Sequence, residues 1–291
     1  MKFAYYPGCS LKGTSKPYEI SLLALFRKLG IELEEIPDWN CCGATFYMSV
    51  DETGALLMAS RNIALAQKMA LDIVVPCSAC YLNLLKTVKM IQEQGPLGQR
   101  ICRALEKAQI PIDPNNLPTV FHPLHVLVDD FGVQKIVHQN TRGLQNLRLI
   151  PYYGCLLVRP FDAREDAFFP TKMDFLMHSL GADVVSDYAL KTKCCGGTLT
   201  GTIEEIGLRL NYLLLKEAQR KGGQAIATLC PLCHFNLEMY QKKIGHVYPE
   251  SFAMPIFYFT QLVGMSLGLV EKDLGLRRKV PVRENRQALG R

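Results

Sequence analysis

Along the whole chain, short apolar or alternating runs, typical of strands, alternate with longer segments whose apolar residues have helical spacing. This order occurs twice, once in each half. Strands that alternate with helices form parallel sheets, so the pattern predicts an α/β fold with a small, mostly parallel sheet flanked by helices in each half. In chain order the predicted elements are a strand at 2–6, a helix at 17–29, a strand at 31–36, a helix from a capping box at 49–52 to about 70, a strand at 72–76, a helix from 78, strands at 147–153 and 182–187, a helix from 202 to about 221, and a strand at 225–229.

The chain of 291 residues is long enough for two domains, and its 48% of hydrophobic residues suffices for a buried core. We expect an N-terminal domain over residues 1–146 and a C-terminal domain over residues 147–291. The first includes a linker from about residue 94 that is rich in proline, asparagine and charge, with a short helix near His122–Phe131.

The formal net charge of +6 is mild, and much of it lies in a basic tail at residues 271–291. The tail has no interleaved aromatic residues, so we expect no nucleic acid partner. Residues 252–270 carry no charge, but proline, glycine and polar residues interrupt them, so a buried helix at about Phe257–Leu269 is expected there instead of a transmembrane span. Cys9 precedes any apolar stretch of signal-peptide length, so we expect a cytoplasmic protein.

Eleven cysteines are a high count for such a compartment, where thiols stay reduced and clustered cysteines indicate metal or redox chemistry. Cys102 stands apart and is interpreted as a free thiol. The other ten form two sets with the same pattern: Cys9, Cys41-Cys42-Gly43 and Cys77-x-x-Cys80 in the first half, and Cys155, Cys194-Cys195-Gly196 and Cys230-x-x-Cys233 in the second.

The two sets are an internal duplication. The distance from Cys42 to Cys77 equals that from Cys195 to Cys230, and neighbouring residues repeat as well. Each cysteine follows a predicted strand, and open α/β sheets bind ligands at the carboxyl ends of their strands. Five cysteines that are far apart in sequence are therefore expected to converge on one point in each half.

Thiolates are soft ligands that select zinc, copper(I) or iron–sulfur clusters. Four cysteine ligands complete a structural zinc site or an ordinary cubane cluster, and each half offers five cysteines, one more than that number. Iron–sulfur is favoured on this count. Zinc, a thiol–disulfide redox site, and four ligands with one spare thiol remain open. Gly43 and Gly196 are expected to allow a sharp turn or a close approach after each cysteine pair.

This pattern resembles the cysteine-rich CCG domain. Two copies in a chain of this length resemble the family of heterodisulfide reductase B subunits, with segments 10–15 and 38–40 closer to bacterial members. The resemblance implies one noncubane [4Fe-4S] cluster per half. It implies that the ligands are Cys9, Cys41, Cys42, Cys77 and Cys80 for the first cluster and Cys155, Cys194, Cys195, Cys230 and Cys233 for the second.

The resemblance also implies a function. A disulfide substrate lies between two facing clusters, and each cluster supplies one electron to break the S–S bond. The implied partners are a small ferredoxin-like, C-type subunit with [4Fe-4S] cubanes and a flavin-containing, A-type subunit. The disulfide is a CoM-S-S-CoB-like heterodisulfide or another small-molecule or carrier-bound one.

Two other functions stay open on the sequence. One is an electron-transfer iron–sulfur subunit of a flavin-dependent dehydrogenase or electron-bifurcating complex, although no ferredoxin-like Cys-x-x-Cys-x-x-Cys run is present. The other is a zinc-stabilised binding module. Metal analysis separates this second alternative from the redox functions.

Several residues near the cysteines are candidates for further roles. Lys12, Lys193 and His234 are candidate substrate-binding residues, because a cation attracts an anionic substrate and an imidazole can donate a proton to a released thiolate. Solvated lysines and a packed histidine are the ordinary alternatives. Weaker candidates are Lys16, Arg159 and Lys191 for substrate attraction, Asn83 and Asn236 for hydrogen bonds to cluster sulfur, and His122 and His125 for proton transfer; Trp39 is interpreted as packing.

Overall fold

The computed structural model describes residues 1–44, 46–160 and 164–276. Its elements in chain order are β1 (Lys2–Tyr5), α1 (Gly8–Lys12), α2 (Lys16–Lys28), β2 (Glu32–Glu35), α3 (Phe46–Val50), α4 (Glu52–Lys68), β3 (Ile73–Val74), α5 (Ser78–Gln92), α6 (Pro96–Lys107), β4 (Val120–Phe121), α7 (Pro123–His125), a π-helix (Val126–Gly132), α8 (Val133–Val137), β5 (Arg148–Tyr152), α9 (Lys172–Ser179), β6 (Asp183–Val184), α10 (Leu199–Thr202), α11 (Glu204–Arg220), β7 (Ala225–Thr228), α12 (Pro231–Met239), α13 (Gln241–Val247), β8 (Ile256–Tyr258), α14 (Phe259–Ser266) and a 3₁₀ helix (Glu271–Leu274).

The described residues form two four-stranded sheets with the same topology. The strand orders are β2-β1-β3-β4 and β6-β5-β7-β8, and every strand pair is parallel. The central strands β3 and β7 are buried throughout, as expected for parallel strands covered by helices on both faces. The predicted pair of parallel α/β units is therefore confirmed.

The fourth strand of each sheet has no counterpart among the predicted elements. β4 lies in the segment 94–146, which was expected to be a linker with one short helix. The segment also contains the helix α6, so it belongs to the first α/β unit. β8 follows Pro255 and pairs with β7. These strands are only two and three residues long, too short to stand out as periodic runs.

Two helix starts also differ from the prediction. The capping box at 49–52 was expected to begin a helix, but Asp51 is the N-cap of α4 and its carboxylate accepts a hydrogen bond from Gly54 N at 2.9 Å. The corresponding helix α11 begins after Ile203, which provides no side-chain cap. In both halves the short helices α3 and α10 occupy the residues just before these starts.

Among the described residues, the larger of two hydrophobic cores extends across both halves, because a helix of each half packs on the last helices of the other, and the smaller core lies within the C-terminal half. α2 packs on α14, and α9 packs on α7 and α8. At the first contact the Tyr18 and Tyr258 rings stack with centroids 4.2 Å apart, and Ser21 Oγ lies 2.7 Å from Thr260 Oγ1. The halves are thus packed against each other at the carboxyl edges of both sheets.

The uncharged segment at 252–270 forms β8 and the eight-residue helix α14, most of which is buried. This agrees with the buried helix expected from the sequence. Among the described residues, no helix has the length and hydropathy needed to cross a membrane. Most of the basic tail, from residue 277 onward, lies outside the described residues.

Candidate metal centre

The ten motif cysteines all lie at the carboxyl edges of the two sheets. Cys9 follows β1, the Cys41-Cys42 pair follows β2, and Cys77 is the N-cap of α5 directly after β3. Cys80 is in the first turn of that helix. The second half repeats this placement, with Cys155 after β5, Cys194 and Cys195 after β6, and Cys230 and Cys233 at the start of α12.

Within each half the thiols touch one another. Cys42 Sγ lies 3.0 Å from Cys80 Sγ, and Cys195 Sγ lies 3.5 Å from Cys233 Sγ. The other thiols lie close enough to shift one another's pKa, in the pairs Cys9–Cys41, Cys41–Cys42, Cys77–Cys80, Cys155–Cys194, Cys194–Cys195 and Cys230–Cys233. All five cysteines of each predicted set are thus brought together.

The two sets also meet each other. The Cys77 and Cys230 thiols lie close enough across the contact between the halves for each to shift the pKa of the other, so the ten thiols form one continuous array. The inner members of the array are buried, whereas Cys9, Cys41 and Cys194 are exposed at its two ends. No group of three or more His, Cys, Asp or Glu side chains among the described residues is arranged to hold a single metal ion.

Crowding prevents the thiols of one set from ionising together. Hydrogen bonds from Cys42 and Cys9 lower the pKa of Cys41. The hydrogen bond to Cys41 raises the pKa of Cys42 to about 12, and burial adds to this effect. Cys194 and Cys195 show the same division in the second half. Five thiolates would therefore need added positive charge between them, which a polynuclear iron group supplies, and the donor set fits such a group.

Glycines keep the backbone close to the thiols. A Cβ atom on Gly8 would lie 3.2 Å from Cys80 Sγ, and one on Gly154 would lie 3.1 Å from Cys233 Sγ. Both glycines have positive φ, +67° and +72°, which other residues rarely adopt. At each position the absence of a side chain leaves room directly beside a cysteine sulfur.

The glycines after the cysteine pairs allow both a sharp turn and a close approach of the backbone, as expected. Gly43 and Gly196 have φ of +73° and +93°. A Cβ on Gly43 would lie 2.9 Å from Ala55 Cα, and one on Gly196 would lie 3.1 Å from Gly207 Cα, so each packs against the following long helix. Their amides also lie 3.4 and 3.3 Å from the first sulfur of each pair.

Two tyrosines without a predicted role support the paired cysteines. The Tyr6 hydroxyl donates to Asn40 O at 2.8 Å, and the Tyr152 hydroxyl donates to Lys193 O at 2.7 Å. These carbonyls directly precede Cys41 and Cys194. The signal was visible in the sequence, because a tyrosine lies two residues before the glycine that precedes the first cysteine of each set.

The matched asparagines contact the same loops. Asn236 Nδ2 lies 3.4 Å from Cys195 Sγ and donates to Gly197 O at 2.9 Å. Asn83 Nδ2 donates to the Cys42 carbonyl oxygen. The two side chains therefore bind the cysteine pair from the helix that carries the Cys-x-x-Cys motif, and Asn236 reaches a sulfur as predicted.

Most of the candidate lysines are paired with carboxylates. Lys12 Nζ lies 2.7 Å from both Glu19 and Glu35, and Lys16 also contacts Glu19. Lys191 is buried and lies 2.6 Å from Asp174. Lys193 is exposed beside Cys194, where it remains a candidate for attracting an anion.

Two of the candidate histidines, His122 and His234, contact backbone carbonyl groups. His234 Nε2 lies 3.1 Å from Ile256 O, and its ring stacks on Tyr258 at 4.2 Å. His122 and His125 are fully buried at the end of β4 and in α7. Burial lowers the pKa of both His122 and His234 to about 4, so both imidazoles are neutral at pH 7. Trp39 packs edge-on against Tyr6, as expected.

A small cleft of about 170 Å³ opens between the loop after α1 and the helix α12. His234 and Tyr258 form part of its wall, and exposed Phe235 and Met239 lie at its rim. Tyr258 is close enough to Cys230, Cys77 and Cys233 for these thiols to raise its pKa, after burial as the main cause. Tyr258 therefore places one wall of the cleft near the point where the two thiol sets meet, while no cysteine among the described residues lines the cleft itself.

Two parallel α/β units that bring five thiols each to facing sheet edges define a duplicated cysteine-rich protein. The family model "CCG: Cysteine-rich domain" matches residues 3–85 and 150–238. The chain belongs to this cysteine-rich CCG family, within the group related to the B subunits of heterodisulfide reductases.

Relatives from several organisms match almost the whole chain. The 8-methylmenaquinol:fumarate reductase membrane anchor subunit of Wolinella succinogenes is 31% identical, over 96% of each chain. The B subunit of the ferredoxin:CoB-CoM heterodisulfide reductase of Methanosarcina mazei is 26% identical over 95% of this chain and 93% of the relative. A protein of Archaeoglobus profundus, named as similar to the heterodisulfide reductase B subunit, is 25% identical over 95% and 94%. These names indicate an oxidoreductase subunit.

A solved structure has the same fold. The crystal structure of a hypothetical protein from Helicobacter pylori superposes with a TM-score of 0.71 at 13% identity, over 94% of this chain. This chain spans about half, 51%, of that protein's chain. At this identity the likeness concerns the fold alone.

Proposed function

We propose that this chain is the catalytic iron–sulfur subunit of a heterodisulfide reductase-like complex and that it binds two noncubane [4Fe-4S] clusters. The proposed ligands of the first cluster are Cys9, Cys41, Cys42, Cys77 and Cys80, and those of the second are Cys155, Cys194, Cys195, Cys230 and Cys233. The observation that carries the proposal is the meeting of the two five-thiol sets at Cys77 and Cys230. Two electron sites that face each other suit a substrate bond whose cleavage needs two electrons.

The reaction is the reduction of a disulfide. One disulfide takes up two electrons and two protons, the S–S bond breaks, and two thiols leave. Bound clusters supply the electrons one at a time. The chain's own residues hold the clusters, and the burial of Cys42, Cys77, Cys195 and Cys230 keeps water from the inner part of the array. The cleft beside His234 gives a small disulfide a path toward this part.

The electrons come from partner subunits of the complex. We propose a small C-type subunit with cubane clusters and a flavin-containing A-type subunit, in the cytoplasm. Support comes from the relatives, several of which are named as subunits of reductase complexes. The exposed ends of the thiol array at Cys9, Cys41 and Cys194 are the places where electrons can enter.

A second candidate function is electron transfer without disulfide chemistry. The Wolinella succinogenes relative favours it, because its name assigns it to a quinol:fumarate reductase. In that function the chain relays electrons within a dehydrogenase complex. The same cysteines then hold the same clusters, but no thiol binds between them.

Metal analysis of protein purified without oxygen tests the clusters. We expect on the order of eight irons per chain with matching acid-labile sulfide. Cys42→Ser and Cys195→Ser should each lose about half of the iron, since each removes a buried ligand of one site. Cys102→Ser is the matched control and should lose none, because Cys102 lies outside the array. Zinc alone, or unchanged iron in both ligand variants, contradicts the proposal.

Electron paramagnetic resonance separates the two functions. Samples of the protein are oxidised with and without added thiols, including coenzyme M, coenzyme B and dihydrolipoamide. A paramagnetic signal that depends on thiol supports substrate sulfur at the clusters. Intact clusters with no such signal for any thiol favour the electron-transfer function.

A further inference from the structure

His122 joins the two halves at the point where the thiol sets meet. Its ring lies at the carboxyl end of β4 and has no solvent exposure. Nε2 is 3.0 Å from Pro76 O in its own half and 3.2 Å from Leu229 O in the other half. One ring nitrogen therefore contacts both connections that lead from β3 and β7 into the Cys-x-x-Cys motifs.

The contacts define the tautomer of this imidazole. Carbonyl oxygens only accept hydrogen bonds, so Nε2 carries the hydrogen and shares it between Pro76 and Leu229. Nδ1 accepts from Leu124 N at 3.2 Å, so it carries none. His122 is thus a neutral bridge with both ring nitrogens in use.

The bridged carbonyls directly precede the two cysteines that touch across the halves. Pro76 is followed by Cys77, and Leu229 is followed by Cys230, each of which is the N-cap of its helix. The Cys77 and Cys230 thiols are close enough for Cys230 to raise the pKa of Cys77. A change in the separation of the two carbonyls would therefore move one thiol set relative to the other.

The duplicated fold contains a natural comparison. By the register of β4 and β8, His122 in the first half and Tyr258 in the second occupy equivalent positions. A second equivalent pair follows Cys80 and Cys233, where the residues are Tyr81 and His234. Each half therefore has one tyrosine and one histidine at these two positions, in exchanged order. His234 donates to Ile256 O within its own half, so of the two histidines only His122 bridges the halves.

We propose that His122 is a positioning residue that sets the spacing between the two cysteine sets, and with it the coupling between the metal groups they hold. The part about coupling rests on the proposed function, whereas the spacing of the cysteines does not. The Tyr18 hydroxyl, which donates to Leu229 O at 3.3 Å, helps to hold the same carbonyl.

The first test compares His122→Leu with His234→Leu in protein purified without oxygen. Both variants remove an imidazole that donates to a backbone carbonyl, buried in His122 and half-buried in His234, but only the first removes the bridge. We expect both to keep their iron and sulfide. The interaction between the two paramagnetic centres and the difference between their reduction potentials should change in His122→Leu alone. His122→Gln, whose amide can still donate, should restore them toward the wild type.

The second test needs no metal. Metal-free protein is treated with dibromobimane, a short reagent that alkylates two thiols and releases two bromides, and the Cys77–Cys230 product is quantified by peptide mass spectrometry. We expect its yield to fall several-fold in His122→Leu and less in Tyr18→Phe, which keeps the stacked ring and loses one hydrogen bond. The yield in His234→Leu should stay at the wild-type level.

The two tests distinguish failure of the inference from failure of the proposed function. Unchanged coupling and unchanged cross-linking in folded His122→Leu overturn the inference. A wild-type protein that holds no iron overturns the proposed function, while reduced cross-linking in His122→Leu still supports the positioning role. Should His122→Leu not fold, the cross-linking of Tyr18→Phe decides: a yield equal to that of the wild type counts against the inference.

Discussion

At the site, glycines matter because they leave space beside the sulfur atoms, just as the cysteines matter because they supply those atoms. Gly8 and Gly154 precede the first cysteine of each set and leave room beside the sulfurs of Cys80 and Cys233. Any larger residue would place an atom where the backbone now passes a thiol. The repeated Gly-Cys dipeptide therefore has a steric reason as well as a conformational one.

Gly154→Ala should destabilise the protein and empty the second site. The positive φ costs about 1–2 kcal/mol for a residue with a Cβ atom, and that Cβ would press on Cys233 Sγ. Iron per chain should fall by about half, and the melting temperature should drop.

Gly30→Ala is the matched control for this substitution. Gly30 has the same φ of +72°, but a Cβ there would meet nothing within 4 Å. It should show a similar loss of stability with full iron content. Equal iron in the two variants would mean that the contact with Cys233 has no influence on the metal site.

The helices begin at residues that local patterns only partly identify. A Ser-x-x-Glu pattern pointed to Ser49 as the cap of α4, but Asp51 holds the helix start through Gly54 N. The residues just before Asp51 form the short helix α3. The start of α4 matters for the site, because Gly43 packs on Ala55 in the first turn of this helix.

Asp51→Ala should therefore cost about 1 kcal/mol of stability, as expected for the loss of an N-cap side chain. Ser49→Ala should change stability by only a few tenths of a kcal/mol, because Ser49 does not cap α4. Denaturant unfolding of both variants measures the difference. A larger loss for Ser49→Ala would mean that the capping box forms after all.

The whole molecule is held together by a core that crosses from one half to the other. α2 packs on α14, and the Ser21 and Thr260 hydroxyls meet at 2.7 Å in this contact. Both residues are buried, so Thr260 Oγ1 would lose this partner without Ser21, whereas Ser21 Oγ also donates to Tyr18 O at 3.0 Å. The contact fixes the position of one thiol set relative to the other.

A double-mutant cycle at Ser21 and Thr260 measures this contact. Ser21→Ala and Thr260→Val should each destabilise by about 1–2 kcal/mol. The double variant should lose about 1 kcal/mol less than the sum, because the second change removes a group already without its partner. Strict additivity in urea unfolding would show that the hydroxyls do not interact across the halves.

Much of the fold could be read from local patterns. The strands that lead into Cys9, Cys77, Cys155 and Cys230 and the helix α2 lie where apolar spacing predicted them. The fourth strand of each sheet was missed, since two or three residues carry too little periodicity. The role of the tyrosine hydroxyls that hold the cysteine loops was missed as well: the repeated tyrosine is visible in the sequence, but its hydrogen-bond acceptors lie 34 and 41 residues away.

The amino-acid order was enough to establish the duplication, the two sets of five cysteines and their place at the ends of parallel strands. These properties follow from spacing along the chain and from local preferences. The contact of Cys77 with Cys230, the ion pairs that engage Lys12 and Lys191, and the bridge made by His122 emerged from the folded arrangement. The ion pairs depend on how the elements of one half pack together. The thiol contact and the His122 bridge depend on how one half packs on the other, which involves residues more than 100 positions apart.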